Sequence, residues 1–404
     1  MGLLRTLGAA CMMLAPIAVP ATDLEAVLDL RAVYADATRS FLNGNLGKLR
    51  SDDEIGFGPS RLRLGVSQSI GETWRAVFDA TLSADDIDGS IDVTEAFAEY
   101  RPYPRAGWRT RIKVGAFYAP ISLENRSSGW ETPYSLSSSA INSWLGEEVR
   151  TIGAELQLDW LGSQLGHGSD LGVVVGVHGW NDFAGAYLAG RGFRAQDRQT
   201  AIFGHVAELG VPGYSLEPFV ESDDRPGYYL GGRWLYADRL ELRALHYDNR
   251  GDATIFEPRV NDYIWHTRFD AVGLRLELPA GWTVIAQWLG GDTLIAPSGF
   301  HIVWDYDATY VLVSREITQR QRLTLRHDDF SLRRVTATAF PPNSDRGDSW
   351  TLAWLYEPAP DWRVGAEWQR MRSEVSKRRA FLGVNPAATE SKLELSVRRT
   401  LRNR

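Results

Sequence analysis

The fold is decided by one stretch of the chain, residues 272–288, which reads VGLRLELPAGWTVIAQW. Apolar and polar residues alternate on both sides of Pro279-Ala280-Gly281. Alternation with a period of two is the pattern of a β-strand that has one apolar face. Proline and glycine in the middle are turn formers. The stretch therefore predicts an antiparallel hairpin with one apolar and one polar face.

The same design recurs along almost the whole chain, for example in residues 350–368, WTLAWLYEPAPDWRVGAEW. Segments of about ten alternating residues, joined in turn by short turns and long polar loops, are typical of outer-membrane barrels. The sequence predicts an all-β fold, a transmembrane antiparallel β-barrel with short periplasmic turns and long extracellular loops. It has 16 strands, or 18 if every alternating segment is counted, among them 199–209 and 213–221.

Composition agrees with a barrel and excludes other classes. The chain of 404 residues is 44% hydrophobic and 24% charged, and beyond its N-terminus it has no apolar run long enough for a membrane-spanning helix. Its 15 Trp and 15 Tyr suit membrane–water interfaces. The net charge is −7, without a basic block, so no nucleic-acid partner is expected.

Residues 1–21 have the parts of a secretory signal peptide. Arg5 precedes an apolar run over residues 7–19, and small residues allow cleavage after Ala21. Acylation of Cys11 as a lipoprotein is the alternative. Cys11 is the one cysteine, so a mature chain of residues 22–404 has no disulfide and no thiolate. We expect these residues to form a single barrel domain and the protein to lie in the outer membrane.

Candidate pore-lining residues are the charged members of the polar strand faces. The basic ones are Arg61, Arg63, Arg75, Arg109, Arg111 and Lys113. Such a wall favours anions, unless these side chains only pair with acids on neighbouring strands. Residues 119–148 form a long candidate loop that would narrow the pore if it folded inward. Its charged candidates are Glu124, Arg126, Glu131, Glu147 and Glu148.

These patterns favour a porin, a water-filled channel for passive diffusion of small hydrophilic solutes. The partners expected are outer-membrane lipid and small solutes or anions. The seven His are scattered, and no HExxH, paired-cysteine or phosphate-loop motif occurs, so neither an enzyme nor a cofactor or metal is predicted. The alternatives are a secreted soluble β protein that binds carbohydrate through tryptophan, and a barrel enzyme or adhesin.

A quarter of the chain, from Arg61 to Leu156, resembles the phosphate-selective porin family of Gram-negative outer membranes. The matching motifs are TEAFAEY at 94–100, KVGAFY at 113–118, APISLEN at 119–125 and EEVRTIGAE at 147–155. The resemblance implies a sixteen-stranded barrel, a homotrimer, and anion selectivity through lumen arginines and lysines. It also implies that the loop after the fifth strand folds inward, with residues 124–144 as the constriction.

Overall fold

Sixteen antiparallel strands close into a barrel, because the first strand pairs with the last as well as with the second. A computed structural model describes residues 22–43, 45–51, 55–83, 92–204, 206–207, 215–338 and 343–403. The predicted signal peptide, residues 1–21, lies outside the described residues. The barrel strands are β1 Thr22–Asp36, β2 Gly56–Ile70, β3 Trp74–Ser83, β4 Asp92–Tyr100, β5 Trp108–Phe117, β6 Thr151–Trp160, β7 Ser169–Gly179, β8 Gly227–Tyr236, β9 Leu240–Asp248, β10 His266–Leu278, β11 Trp282–Ile295, β12 Ile302–Thr318, β13 Gln321–Arg334, β14 Ser344–Tyr356, β15 Trp362–Val375 and β16 Ala387–Arg402.

The predicted antiparallel barrel is confirmed, and the count is 16 and not 18. Two segments that the sequence suggested as strands, 199–209 and 213–221, do not join the barrel. Their described parts contribute only a two-residue ribbon, Val206–Ala207 with Ser215–Leu216. A second ribbon of this size pairs Phe256–Glu257 with Asp262–Tyr263. Residues before the first ribbon bond to the interior instead, since Arg150 donates to the carbonyl of Thr200.

Short turns and long loops lie at opposite ends of the barrel. The decisive hairpin has the predicted register, with Leu274 opposite Ala286 and Leu276 opposite Val284. Its turn places Ala280 at a φ of 61°. Strand β1 begins and strand β16 ends at the end of the short turns, which in outer-membrane barrels is the periplasmic end. The long connections, among them 118–150 and 180–226, lie at the other end.

An apolar belt covers the outside of the barrel. Outward residues such as Val114, Val175 and Leu325 are 56%, 45% and 45% exposed. Trp74, Trp108 and further aromatic residues edge the belt near the short turns. An exposed band of this size suits lipid and not water, which opposes the soluble carbohydrate-binding alternative.

In the part of the chain that the structure describes, helices occur only in the connections between strands. They are α1 Ala140–Glu148, α2 Ala186–Arg191 and α3 Ser376–Leu382, and single 3-10 turns occur at Phe41–Asn43, Ser128–Trp130, Gly162–Leu165, Pro279–Gly281 and Pro297–Gly299. None of the helices in the described part of the chain is long and apolar enough to cross a membrane.

Candidate functional site: the barrel interior

Residues 118–150, which we call inner loop A, cross the interior of the barrel. The backbone N–H of Leu136 donates to Glu367 on β15, 2.8 Å away, and that of Ala140 donates to Asp328 on β13, 2.9 Å away. Gln287 on β11 donates to the carbonyl of Ile121 at 3.0 Å. A segment between β5 and β6 reaches these distant strands only through the lumen.

Helix α1 is the rigid part of inner loop A. Ser139 caps it by accepting a hydrogen bond from the N–H of Asn142, which satisfies one of the amides that a helix start leaves without a partner. All nine of its residues are buried. A helix buried on every side needs partners on every side, and the barrel wall supplies some of them.

One buried arginine ties inner loop A to the wall. Arg326 on β13 is 0% exposed and lies 3.0 Å from Glu124 of the loop and 2.9 Å from Asp328 of its own strand. It also donates to the loop carbonyls of Ser137 at 2.7 Å and Ser138 at 2.9 Å. A guanidinium can serve this many acceptors because its donors form a fixed planar fork.

Residues 180–204, which we call inner loop B, fill much of the remaining interior. Its helix α2 receives Glu148 of inner loop A, whose carboxylate accepts from the backbone N–H groups of Tyr187 and Leu188. From the wall, Gln369 on β15 donates to the carbonyl of Ala195 at 3.0 Å. Lys48, in the connection between β1 and β2, donates to the carbonyls of Arg191 and Phe193 at 2.9 and 3.1 Å. The two inner loops are therefore bound to each other as well as to the barrel.

Between the inner loops and the wall lies an apolar core. The ring of Trp144 in α1 packs against Phe193 of inner loop B, Phe269 on β10 and Tyr306 on β12, with centroid distances of 6.1, 5.3 and 5.2 Å. These rings are at most 3% exposed. Such packing inside the lumen excludes water from this part of the barrel.

The larger open space is a cavity of about 350 Å³ between inner loop A and the wall from β5 to β9. Trp130 and Tyr118 stack in this region with their centroids 4.1 Å apart. The charged side chains that line the cavity are Glu95, Arg111, Lys113, Arg126, Glu155, Arg233 and Arg243.

A second, smaller cavity of about 20 Å³ shares Asn125 and Trp130 with the first and lies toward the wall of β2, β15 and β16. It includes residues of both inner loops. Its charged lining is Arg61, Glu131, Asp197, Arg198, Arg363 and Arg398. The two cavities thus lie on either side of inner loop A.

The predicted basic row on β5 is paired with acids on β6 and β4. Arg109 bonds Asp159 at 2.9 Å, while Lys113 lies 3.6 Å from Glu155. Arg111 donates to Gln157 on β6 and lies 3.7 Å from Glu99 on β4. Of this row, Arg111 and Lys113 line the larger cavity. Pairs of basic and acidic side chains on neighbouring strands make the wall rigid. The basic side chains of these pairs still face the lumen with part of their surface.

The other basic candidates lie on β2 and β3. Arg63 donates to Asp79 at 2.7 Å and to Ser128 of inner loop A at 2.6 Å. Arg61 pairs with Glu131 of the loop. Arg75 is exposed near the short turns, donates to Ser67 at 2.7 Å and lines neither cavity.

Glu131 is held among several arginines. Burial alone would raise the pKa of its carboxyl, but Arg398 and Arg61 outweigh burial and lower that pKa to about 2. The carboxylate stays charged across the physiological range, since ionisation is favoured by nearby cations. Glu131 thereby links inner loop A to β2 and β16 at once.

Glu147 and Glu148 lie between the inner loops and away from both cavities. Glu147 pairs with Arg194 of inner loop B. Burial raises the pKa of Glu148 to about 8, against the opposing effect of its backbone and Trp144 donors. Arg126, in contrast, reaches the larger cavity and bonds Glu241 on β9 at 2.8 Å.

Inner loop B is the feature that sequence reasoning missed. Its Asp197 bonds Arg50 at 2.8 Å and also pairs with Arg31 on β1, and its Arg198 lines the smaller cavity. The length of the connection could have revealed it. When 199–209 and 213–221 are not counted as barrel strands, residues 180–226 form a connection that is longer than inner loop A. Long connections in compact folds commonly carry function.

Among the described residues, one group of three acids is spaced closely enough to hold a metal ion. Asp182, Glu221 and Asp223 bring carboxylate oxygens within 4.8 Å of one another in the connection between β7 and β8. Burial and the two other acids raise the pKa of Asp182 to about 7. The group lies apart from both cavities.

The closed barrel and its outward apolar belt define a class, the sixteen-stranded antiparallel β-barrels of the outer membrane. No protein-family model matches the sequence, and no curated protein matches it.

Among solved structures, the fold is similar to three outer-membrane proteins. The outer membrane channel DcaP of Acinetobacter baumannii has a TM-score of 0.55 and 13% identity, over 94% of this chain and 97% of that one. OmpF of Salmonella typhi, solved with daunomycin, has a TM-score of 0.54 and 10% identity over 94% and 97%. OmpT of Vibrio cholerae in its trimer form has 0.52 and 10% over 94% and 99%. At these identities the likeness is one of fold.

Proposed function

We propose that this protein is an outer-membrane porin through which small hydrophilic solutes diffuse passively, with a preference for anions. One observation carries the proposal. The larger cavity is lined by five basic and two acidic side chains, and the smaller one by four basic and two acidic side chains. The chain as a whole has a net charge of −7, so its positive charge is concentrated where a solute would pass.

Pairing reduces this excess, because acids outside the cavity lining also bind these cations: Glu99 lies 3.7 Å from Arg111, and Asp159 lies 3.1 Å from Arg233. The reduction is partial, because Arg126 and Arg243 share the single carboxylate of Glu241. The acids that face the larger cavity, Glu95 and Glu155, are fewer than the five cations around them. A narrow space with walls of low dielectric focuses the field of the remaining charges. Rings of basic side chains are the usual basis of anion preference in pores.

Inner loop A is proposed to be the constriction. Its path through the lumen separates the two cavities, and inner loop B with the apolar core around Trp144 leaves little other open space. The solutes that fit would accordingly be small. Phosphate selectivity, which the family resemblance implies, would need a phosphate to bind among Arg111, Arg126 and Arg243.

A homotrimer in the outer membrane is proposed as the functional assembly. The resemblance of the motifs implies it, and OmpT of Vibrio cholerae, one of the similar folds, is described in a trimer form. Chemical crosslinking of the protein in native membranes, followed by denaturing gels, tests this assembly.

Planar bilayers test the channel. The refolded wild type is expected to give stable conductance steps, with an anion-selective reversal potential under a KCl gradient. The variant Arg111→Gln/Arg126→Gln removes two cations from the larger cavity, so its reversal potential should move toward cation selectivity. Arg75→Gln is the matched control, because Arg75 faces the lumen outside both cavities.

The outcome distinguishes the parts of the proposal. A cation-selective wild type would refute the anion preference. A folded, heat-modifiable barrel that gives no conductance would refute the porin itself. Addition of phosphate to the KCl solution should lower the chloride current if phosphate competes at the arginines, and no effect would refute phosphate selectivity.

A further inference from the structure

The outer wall of the barrel carries a groove that a channel does not need. It has a volume of about 370 Å³ and lies across strands β13, β14 and β15. One end is apolar and the other is charged. The lining is Leu325, Asp348, Trp350, Leu352, Trp368, Arg370 and Arg372.

The two arginines of this groove point away from the pore. On β15 the inward residues Met371 and Ser373 are 0% and 5% exposed, while Trp368, on the opposite face, is 41% exposed. Because side chains alternate along a strand, Arg370 and Arg372 share the outward face with Trp368. They therefore lie in or beside the membrane and not in the lumen.

The height of the arginines follows from strand geometry. A strand rises about 3.4 Å per residue, and a tilt of about 40° reduces this to about 2.6 Å of height per residue. Trp362 begins β15 at the short turns, so Arg370 and Arg372 lie about 21 and 26 Å above it. The apolar band of such barrels is about 25 Å tall, so both lie at the boundary with the long-loop side.

Among the described residues, no carboxylate oxygen lies within 4.0 Å of the side-chain nitrogens of Arg370 or Arg372, although Asp348 is the cross-strand neighbour of Arg372. Neighbouring arginines differ. Arg346 on β14 is paired with Glu374, and Arg333 on β13 lies 3.9 Å from Asp305. An unpaired guanidinium beside lipid is stabilised when an anionic headgroup lies within reach.

The groove continues toward the solvent as a second one of about 620 Å³, which shares Asp348 and Arg372 with it. The lining of this upper groove is mixed: it includes the polar residues Asp329, Ser331 and Arg346 as well as the apolar residue Phe330. From the belt outward, the surface is thus apolar, then basic, then mixed in charge and rich in hydrogen-bonding groups.

We propose that this surface binds a phosphorylated glycolipid of the outer leaflet. A phosphate would lie at Arg370 and Arg372, an acyl chain would lie against Leu352 and Trp368, and the sugars would fill the upper groove. A guanidinium pair suits phosphate because it can donate parallel hydrogen bonds to two oxygens. The inference rests on the barrel spanning the outer membrane with its long loops outside, and it is independent of ion selectivity.

Native mass spectrometry of the refolded full chain in detergent tests the site. The probe is a bisphosphorylated, acylated glucosamine disaccharide, compared with its enzymatically dephosphorylated form and with phosphatidylglycerol. The variant is Arg370→Gln/Arg372→Gln. The matched control is Arg315→Gln/Arg399→Gln, whose arginines stack on Trp282 and Trp362 at the short-turn end, with distances of 5.1 and 4.9 Å.

The wild type is expected to bind the bisphosphorylated probe at least about tenfold more tightly than the variant does, and the control variant should bind like the wild type. Equal binding of the dephosphorylated probe to the wild type would overturn the proposal, and this comparison needs no variant. Equal binding of phosphatidylglycerol would overturn the glycolipid assignment. Conductance should be unchanged in the variant, so a failure of this site and a failure of the channel are seen in different measurements.

Discussion

Replacement of Arg326 by methionine should release inner loop A from the wall. Arg326 is 0% exposed, and it lies between Glu124 and Asp328, which are also 0% exposed. The variant keeps an unbranched side chain but leaves two buried carboxylates without a counter-ion. Removal of one member of a buried ion pair costs about 3–5 kcal/mol. This corresponds to a shift of roughly 10²- to 10⁴-fold in the equilibrium between the docked and released loop.

The assay combines limited proteolysis within residues 118–150 with single-channel conductance. Arg326→Met should be cut faster and should conduct more, with frequent changes of level. The triple variant Glu124→Gln/Arg326→Met/Asp328→Asn should recover much of the protection, because no buried charge then lacks a partner. Arg275→Gln is the control, since Arg275 faces the lumen but pairs with Glu277 on its own strand. A variant with wild-type protection and conductance would refute the role given to this arginine.

Two further changes probe the same loop. The pKa of Glu131 is lowered to about 2, below the value of about 4.3 in the unfolded chain. The stabilising effect of this carboxylate is therefore complete above about pH 4.3 and is lost as the pH falls toward 2. Conductance and proteolysis of the wild type should therefore rise as the pH falls from about 4 to about 2, and Glu131→Gln should abolish this step. A step that survives in the variant would assign it to another group. Gly129 has a φ of 64°, and a Cβ there would collide with the Arg63 side chain. Gly129→Ala should cost about 1–3 kcal/mol of loop docking, measured as faster proteolysis, whereas unchanged proteolysis would show that the loop adapts freely.

The fold was predictable because it depends on a local pattern. Alternation on each side of Pro279-Ala280-Gly281 defines which residues of the hairpin face lipid, and a one-residue error in register would reverse every side chain. The observed pairing of Leu276 with Val284 follows this pattern. Segments 199–209 and 213–221 raised the predicted number of strands to 18. A short alternation of polar and apolar residues also occurs in segments that are not strands, such as the residues around Thr200, whose carbonyl accepts from Arg150 in the barrel interior.

The candidate site was predictable only in part. The alternation placed Arg111 and Lys113 on the polar face, and both line the larger cavity. The same alternation put Arg233 and Arg243 on polar strand faces, but it could not show that they line this cavity from strands far along the sequence. Nor could it distinguish them from Arg75, which has the same local pattern and lies outside the cavity.

The sequence by itself determined the strands, their lipid-facing sides and the alternation of turns and loops, since each depends on neighbouring residues. Only the tertiary structure decided what occupies the lumen. Arg326 and Glu124 are about half the chain apart, and no period or motif links them. Their pairing exists because a closed barrel brings distant walls to one enclosed space, where each buried charge must find a partner. The path of inner loops A and B follows from that requirement.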